Sequence, residues 1–270
     1  MEKFKLNNMA LWLAPLAFVL SMSAIHSIER KGLGSTRTRA HAKPRLSALP
    51  PIILWAWERP EKLDFIDPQR VGVAFLSQTL YLRGEKVVAR PRMQSLNVPE
   101  GTTLIAVTRI ESDRSTPPSL SHAQTIRAQS EIAQLARLPH VAAVQVDFDA
   151  TRSERNFYRN LLLALRRELP DSTGLLITAL ASWCQGDDWL SDLPLDEAVP
   201  MLFRMGLERR QILSQLASGA RFNSTPCSSS SGISTDEPLE RVPVTQHLYI
   251  FNPKPWTQTE VQKVMENYQR

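Results

Sequence analysis

Residues 143–150 read Ala-Val-Gln-Val-Asp-Phe-Asp-Ala, an octet in which apolar and polar side chains alternate strictly. A period of two predicts a β-strand, with Val144, Val146 and Phe148 on one face and Gln145, Asp147 and Asp149 on the other. Helix-like segments flank this strand, and strands of α/β proteins are usually covered on both faces. Covering two carboxylates and an amide is costly unless they are paired or take part in chemistry. A closed barrel resolves the conflict, because the polar face then points into the barrel and up to its mouth, where α/β barrels have their active sites.

Further strand-like and helix-like segments alternate along the chain. The predicted strands are Ile52–Trp57, Val71–Leu76, Leu104–Ile110, Val141–Asp149, Leu175–Trp183, Val199–Met205, Gly232–Thr235 and Leu248–Phe251. A hairpin over Leu80–Ala89 interrupts the series. The predicted helices are Ser121–Arg137, a helix capped by Ser153 that runs to Leu169, Arg209–Leu216, and Thr257–Tyr268 with a Thr257/Glu260 capping box. This order predicts a single (β/α)8 barrel of the TIM type, with an open doubly wound sheet as the competing architecture. No dinucleotide-binding or P-loop glycine pattern occurs, so we predict no cofactor.

The N-terminus has the layout of an export signal. Lys3 and Lys5 precede an apolar run from Met9 to about Ile25. We therefore predict a signal peptide or membrane anchor over residues 1–27, a basic flexible linker over 28–50 and the barrel over 51–270. The expected location is outside the cytosol, either periplasmic or anchored at the outer face of the inner membrane. Membrane contact is expected only through the N-terminal segment, if it is not cleaved.

The formal net charge of +5 comes from the leader and linker. Residues 1–45 contain eight of the 32 Lys and Arg residues and two of the 27 acidic ones, so the rest of the chain has 24 basic and 25 acidic residues. The predicted barrel has no basic excess, which argues against nucleic acid as a partner.

The chain has two cysteines, Cys184 and Cys227. An even number in an exported protein favours a disulfide, with two buried free thiols as the alternative. The five His residues are scattered, and none lies near a Cys or carboxylate at ligand spacing, so we predict no metal site.

The carboxyl ends of the predicted strands meet at the barrel mouth and carry aromatic and charged residues. The candidate substrate-binding residues among them are Trp55, Trp57, Glu58, Arg109, Trp183, Arg204, Asp236 and Trp256. Aromatic faces stack on sugar rings, and a carboxylic acid with a raised pKa can protonate a glycosidic oxygen. The sequence therefore predicts a glycan site.

Asp147 and Asp149 lie two apart on one strand face, with Cα atoms about 6.5 Å apart from the strand rise. Like charges at this separation raise the pKa of one member of the pair, which favours Asp149 as a proton donor. The alternative is a structural network in which Arg109 or Arg204 neutralises both carboxylates.

Five strings give the chain a resemblance to an exported bacterial barrel family of unassigned function. They are residues 53–60 (ILWAWERP), 145–150 (QVDFDA), 178–184 (TALASWC), 199–206 (VPMLFRMG) and 232–238 (GISTDEP). The resemblance covers most of the predicted mature chain and implies a barrel and export, but no reaction.

A weaker resemblance is to chitinase-type glycoside hydrolases. Gln145, Asp147 and Asp149 match the last three positions of their fourth-strand acidic motif, with Asp149 in place of the acid Glu, and Trp256 matches a Trp near the end of the eighth strand. Residues 201–204 echo the sixth-strand Met-x-Tyr-Asp pattern but have Phe203 and Arg204 in place of the Tyr and Asp. This departure argues against substrate-assisted catalysis. A two-carboxylate mechanism, with Asp149 as acid/base and Glu237 as nucleophile, is the expected form.

These observations predict a glycoside hydrolase-like envelope protein that acts on or binds a glycan or cell-envelope polysaccharide. The alternatives are a non-catalytic glycan-binding or envelope-scaffolding barrel and an unrelated hydrolase.

Overall fold

The computed structural model describes residues 45–268. Its strands are β1 (Ile52–Ala56), β2 (Glu61–Lys62), β3 (Val71–Arg83), β4 (Lys86–Pro91), β5 (Leu96–Asn97), β6 (Leu104–Ser112), β7 (Val141–Asp147), β8 (Gly174–Leu180), β9 (Glu197–Met201), β10 (Ser230–Ser234) and β11 (His247–Phe251). Its helices are α1 (His122–Ala133), α2 (Arg155–Glu168), α3 (Ala181–Gly186), α4 (Arg209–Ala217) and α5 (Gln258–Asn267). Short 3₁₀ turns cover Gln134–Arg137, Asp188–Leu190 and Thr225–Cys227.

Eight strands form a closed, all-parallel barrel in the order β1-β3-β6-β7-β8-β9-β10-β11, and β11 pairs with β1 again. The predicted (β/α)8 barrel is confirmed, and the open doubly wound sheet is excluded because β1 pairs on both of its edges. The predicted hairpin is also present, but Leu80–Leu82 continues β3 rather than forming a separate strand, and β4 pairs antiparallel with this extension.

The alternation in residues 143–150 works as predicted. Val144, Val146 and Phe148 pack outside the barrel against α2, whose buried face includes Tyr158 and Leu161. On the other face, the Gln145 side chain lies inside the barrel and accepts a hydrogen bond from the Trp55 indole N–H at 3.0 Å.

A second buried polar group, at the start of β9, lies deeper in the barrel. Glu197 is fully buried and is contacted by His247 Nδ1 at 2.7 Å, the Tyr249 hydroxyl at 2.7 Å and the Ser229 hydroxyl at 3.0 Å. Burial and the negative charge of Glu197 raise the pKa of Tyr249 well above its ordinary value. This network satisfies a charge that would otherwise be costly to bury.

Residues 45–50, the end of the predicted linker, close the base of the barrel instead. The Arg45 guanidinium contacts Asp196 at 2.9 Å and donates to the Asp171 carbonyl at 2.8 Å. These two residues lie in the loops that precede strands β9 and β8. Leu46 and Leu49 are buried in the interior cluster. Gly174 leaves room for Leu46, since a Cβ there would lie 2.8 Å from Leu46 Cδ2.

The predicted signal or anchor at residues 1–27 and the linker up to residue 44 lie outside the described residues. Within residues 45–268, no helix combines the length and apolar character needed to cross a bilayer.

Four predicted boundaries are wrong. The fourth barrel strand ends at Asp147 rather than Asp149, so Asp149 lies in the following loop. The fifth barrel strand ends at Leu180 rather than Trp183, because the chain turns at once into α3. The sixth ends at Met201 rather than Met205. Helix α2 is not capped by Ser153: its N-cap residue is Glu154, whose carboxylate instead accepts from the Thr151 backbone N–H at 2.7 Å. The capping box of Thr257 and Glu260 on α5 is confirmed.

Candidate functional site

A cavity of about 710 Å³ opens at the mouth of the barrel, where the parallel strands end. This volume is within the range of small-molecule binding sites. Six of the predicted site residues line it: Trp55, Trp57, Arg109, Asp147, Asp149 and Arg204. Other lining residues are Thr178, Ser182, Phe203, Glu208, Ile212 and Phe251.

Asp147, the last residue of β7, is a buried and fully partnered carboxylate. Its Oδ2 accepts from Arg109 Nη1 at 2.8 Å, and its Oδ1 accepts from the Thr178 hydroxyl at 2.6 Å. Arg109 lies beside it in register on β6. Arg109 also donates through Nε to Glu111 at 2.9 Å. The two carboxylates raise the pKa of Arg109 against the effect of its own burial, so the Arg109–Asp147 pair is a fixed ion pair.

Asp149 lies one strand repeat beyond Asp147 and has a different environment. Among residues 45–268, nothing donates a hydrogen bond to its carboxyl group and no cation pairs with it. Its side chain is open to solvent through the mouth, but the cavity wall removes part of its hydration. This burial raises the pKa of Asp149, the charge of Asp147 raises it further, and Arg109 opposes the shift. The two carboxyl groups thus have contrasting environments, one paired and one unpaired, as is typical of catalytic acid/base pairs.

Four aromatic residues form one wall of the cavity. The rings of Phe203 and Phe251 are parallel to within 2°, with centroids 5.7 Å apart. Trp57 meets Phe251 edge to face at 6.3 Å, and Trp55 meets Phe203 at 6.2 Å. Such a wall offers ring faces to a flat apolar surface of a ligand.

Arg204 extends over this wall from the loop after β9. Its guanidinium lies 5.0 Å from the Phe251 ring centroid. Its backbone has φ +50°, a left-handed conformation that L-residues other than Gly, Asn and Asp seldom adopt. The Glu237 carboxylate supports this conformation by accepting from the Arg204 backbone N–H at 3.1 and 3.2 Å.

An arginine clamp, formed by Arg59 and Arg92, fixes the loop that carries Trp57. Arg59 donates to the carbonyls of Asn252 at 2.5 Å and Lys254 at 2.7 Å, and it pairs with the buried Glu61 at 2.7 Å. Arg92 donates to the carbonyl of Trp57 and, at 2.5 Å, to that of Arg59. The clamp therefore joins the ends of β1 and β11 at the mouth.

Five predicted site residues do not line the cavity. Glu58 is on the outer rim, paired with Arg90 at 2.9 Å. Asp236 contacts Ser234 and, at 3.5 Å, Arg204, and it lines a separate cavity of about 410 Å³ against α5. Glu237, the predicted nucleophile, lies behind Arg204 and is bound by Arg209 at 2.7 Å.

The other two are buried tryptophans. Trp183 lies on α3 and packs against Trp189, with ring centroids 5.0 Å apart, because the strand predicted to carry it ends three residues earlier. Trp256 lies behind β1, where its indole N–H donates to the Trp55 carbonyl at 3.0 Å and its backbone N–H to Glu61 at 2.9 Å.

Several residues of the site were missed in the sequence. Phe203 follows strand β9, and Phe251 is the last residue of β11. Including every aromatic residue at a strand end among the candidates would have identified both. Glu208 lies in a loop whose sequence has no motif or periodicity that would mark it. Its carboxylate has no hydrogen-bond partner within the described part of the chain. Arg59 belongs to the ILWAWERP string, but its role depends on carbonyl partners that are about 190 residues away in the chain.

The predicted disulfide between Cys184 and Cys227 is confirmed, with Cα atoms 5.8 Å apart. It joins α3 to the turn before β10, and the Cys184 carbonyl accepts from the Asn223 N–H at 3.1 Å beside it. A disulfide indicates an oxidising compartment and therefore export.

Among residues 45–268, no group of three or more His, Cys, Asp or Glu side chains is arranged to hold a metal ion. Comparison of the chain with protein-family models, with curated proteins and with solved structures gives no match.

Proposed function

We propose that this protein is a glycoside hydrolase-like barrel that acts on a glycan at its mouth. The observation that carries the proposal is the pair of unlike carboxyl groups in an aromatic-lined cavity, with Asp147 fixed by Arg109 and Asp149 unpartnered with a raised pKa. In glycoside hydrolysis, a carboxylic acid of this kind protonates the leaving oxygen. The aromatic wall of Trp57, Phe203 and Phe251 would hold the apolar face of a sugar ring.

In this proposal, Asp149 is the general acid. Its position in the loop two residues beyond the end of β7 leaves the carboxyl free to reach a bound glycosidic oxygen. Asp147 is held by Arg109 and lies next to Asp149, and its charge adds to the effect of burial in raising the pKa of Asp149.

A glycoside hydrolase needs a second carboxylate, and Glu208 fits this role better than Glu237. Glu208 lines the cavity with a free carboxylate, whereas Glu237 is engaged by Arg209 and by the Arg204 backbone. An anion held by two donors is a poorer nucleophile or base than a free one, because both interactions stabilise its charge.

A non-catalytic glycan-binding or envelope-scaffolding barrel is the second candidate. It is favoured by Phe203 and Arg204, which stand where the resembled chitinase-type pattern has Tyr and Asp. Under this reading, the aromatic wall and arginines bind a glycan without turnover. The resemblance to an exported bacterial barrel family is compatible with both candidates.

We further propose that the ligand is a cell-envelope polysaccharide rather than a nucleic acid. The location would be the periplasm or the outer face of the inner membrane, with membrane contact only through an uncleaved N-terminal segment. The disulfide supports export.

The test is a panel of envelope polysaccharides and oligosaccharides, assayed with the purified protein for new reducing ends and, by calorimetry, for binding. Asp149→Asn retains the shape of the side chain but has no transferable proton. We expect it to lower turnover about 10²–10⁴-fold while binding persists. Asp171→Asn, an exposed change at the base of the barrel, is the matched control.

The outcomes separate the two candidates. Turnover that is unaffected by Asp149→Asn refutes the assignment of the acid. Binding without turnover, unchanged in the variant, supports the non-catalytic barrel. If no glycan of the panel binds or reacts, the proposal is rejected.

A further inference from the structure

We infer that the glycan is acidic and that Arg204 binds a carboxylate on one of its sugar residues, as in a uronic acid. This inference rests on the proposed function and specifies its substrate class. It follows from the geometry of Arg204, the charges that face the cavity and the strain of the Arg204 backbone.

The Arg204 guanidinium has unused donors. Its one side-chain hydrogen bond among the described residues runs from Nη2 to Asp236 at 3.5 Å, the outer limit for such a bond, and 54% of the side chain is exposed. A guanidinium has five N–H donors in a planar fork that matches a carboxylate. Because the group already lies over Phe251, it is held in place before any ligand arrives.

Among the residues of the described chain that line the cavity, Arg204 is the one cation that no carboxylate of the cavity neutralises. Asp147 and Arg109 neutralise each other, and Arg109 is further occupied by Glu111. Asp149 and Glu208 are acidic, so they would repel an anionic group placed near them. A ligand carboxylate is therefore directed to the Arg204 side of the cavity, over the Phe203–Phe251 wall.

The backbone of Arg204 is consistent with a functional position. A left-handed backbone conformation is unfavourable for a non-glycine residue and persists where the surroundings impose it, which is common in ligand sites. Here Glu237 imposes it, and Arg209 holds Glu237 in turn. Glu237 is thus a positioning residue for Arg204.

The experiment compares acidic oligosaccharides with their own methyl esters, which keep the sugar and remove the charge. The probes are oligomers of galacturonate, of alginate and of hyaluronan, each with its ester, measured by calorimetry against the full protein. We expect at least one acid to bind about 10- to 100-fold more tightly than its ester, the range for hydrogen bonds to a charged group. Raising the salt concentration should narrow this ratio.

Three variants assign the effect to Arg204. Arg204→Gln should lower the affinity for the acid by the same factor and change the affinity for the ester little. Arg204→Lys should recover part of the affinity for the acid, because lysine keeps the positive charge but lacks the planar guanidinium. Arg210→Gln, an exposed change on α4 that does not line the cavity, should have no effect. Thermal melting of each variant checks that it is folded.

Equal binding of acid and ester overturns the inference while the proposed function stands, and so does an Arg204→Gln loss of affinity that is equal for both. Binding of neutral envelope glycans alone has the same meaning. Absence of binding by every acidic and neutral probe rejects the proposed function as well.

Discussion

Removing the Cys184–Cys227 disulfide should destabilise the barrel by about 4 kcal/mol. The two residues are 43 positions apart, and closing a loop of that length in the unfolded chain corresponds to about 13 cal/mol/K of chain entropy at 25 °C. Both cysteines are buried in the cluster between barrel and helices, so Cys184→Ala/Cys227→Ala also leaves small gaps there. For a domain of this size, the loss corresponds to a fall in Tm of about 8–16 °C.

The assay is urea unfolding of wild type and the double variant, each with and without reductant. Reductant should lower the stability of the wild type to near that of the variant and leave the variant unchanged. A variant within about 1 kcal/mol of the oxidised wild type would contradict the reasoning, since the cross-link would then not constrain the unfolded chain. An equal response of both proteins to reductant would do the same.

Three further changes have defined outcomes. The pKa of Asp149 is raised in the folded state, so its contribution to the free energy of unfolding is lost as pH rises from the ordinary Asp range through the folded pKa. Asp149→Asn should therefore be more stable than the wild type at neutral pH, and the difference should disappear in acid. Urea titrations at a series of pH values measure this difference. Gly174→Ala places a methyl against Leu46 and should lower the unfolding free energy by about 1–3 kcal/mol; an unchanged urea midpoint would argue against the packed base. Glu61→Gln removes the charge that pairs with Arg59 and should lower the free energy of unfolding by about 1–3 kcal/mol in urea titrations, whereas full stability would indicate that the clamp contributes little.

The barrel could be predicted from the sequence because its evidence is local. The alternation around Asp147 has a period of two within one strand, and a polar inward face is compatible with a covered sheet only where the sheet closes. Asp147, Asp149 and Arg109 were then found simply as strand-end residues. Their positions follow from the parallel register, which brings all carboxyl ends to one rim.

The rest of the site depends on where each strand stops. Nothing in Leu180-Ala181-Ser182-Trp183 marks the change from strand to helix, because the segment contains neither Gly nor Pro. Three residues of error were enough to move Trp183 from the mouth to the outer core. Strand ends without turn residues are therefore the weakest points of such a prediction.

Glu237 and Trp256 illustrate a second limit. Both are near the ends of strands, but their long-range partners decide what they do: Arg209 and the Arg204 backbone bind Glu237, while Glu61 and the Trp55 carbonyl hold Trp256. Contacts between residues far apart in the chain follow from the closed barrel, and a pattern along the sequence does not contain them.

The packed base of the barrel has a consequence for immobilising the domain. Arg45, Leu46 and Leu49 close the end of the barrel opposite the cavity, so the described chain starts on that face. A tag or support joined directly at Arg45 would therefore hold the barrel by the end opposite the mouth, and the entrance of the cavity would stay uncovered.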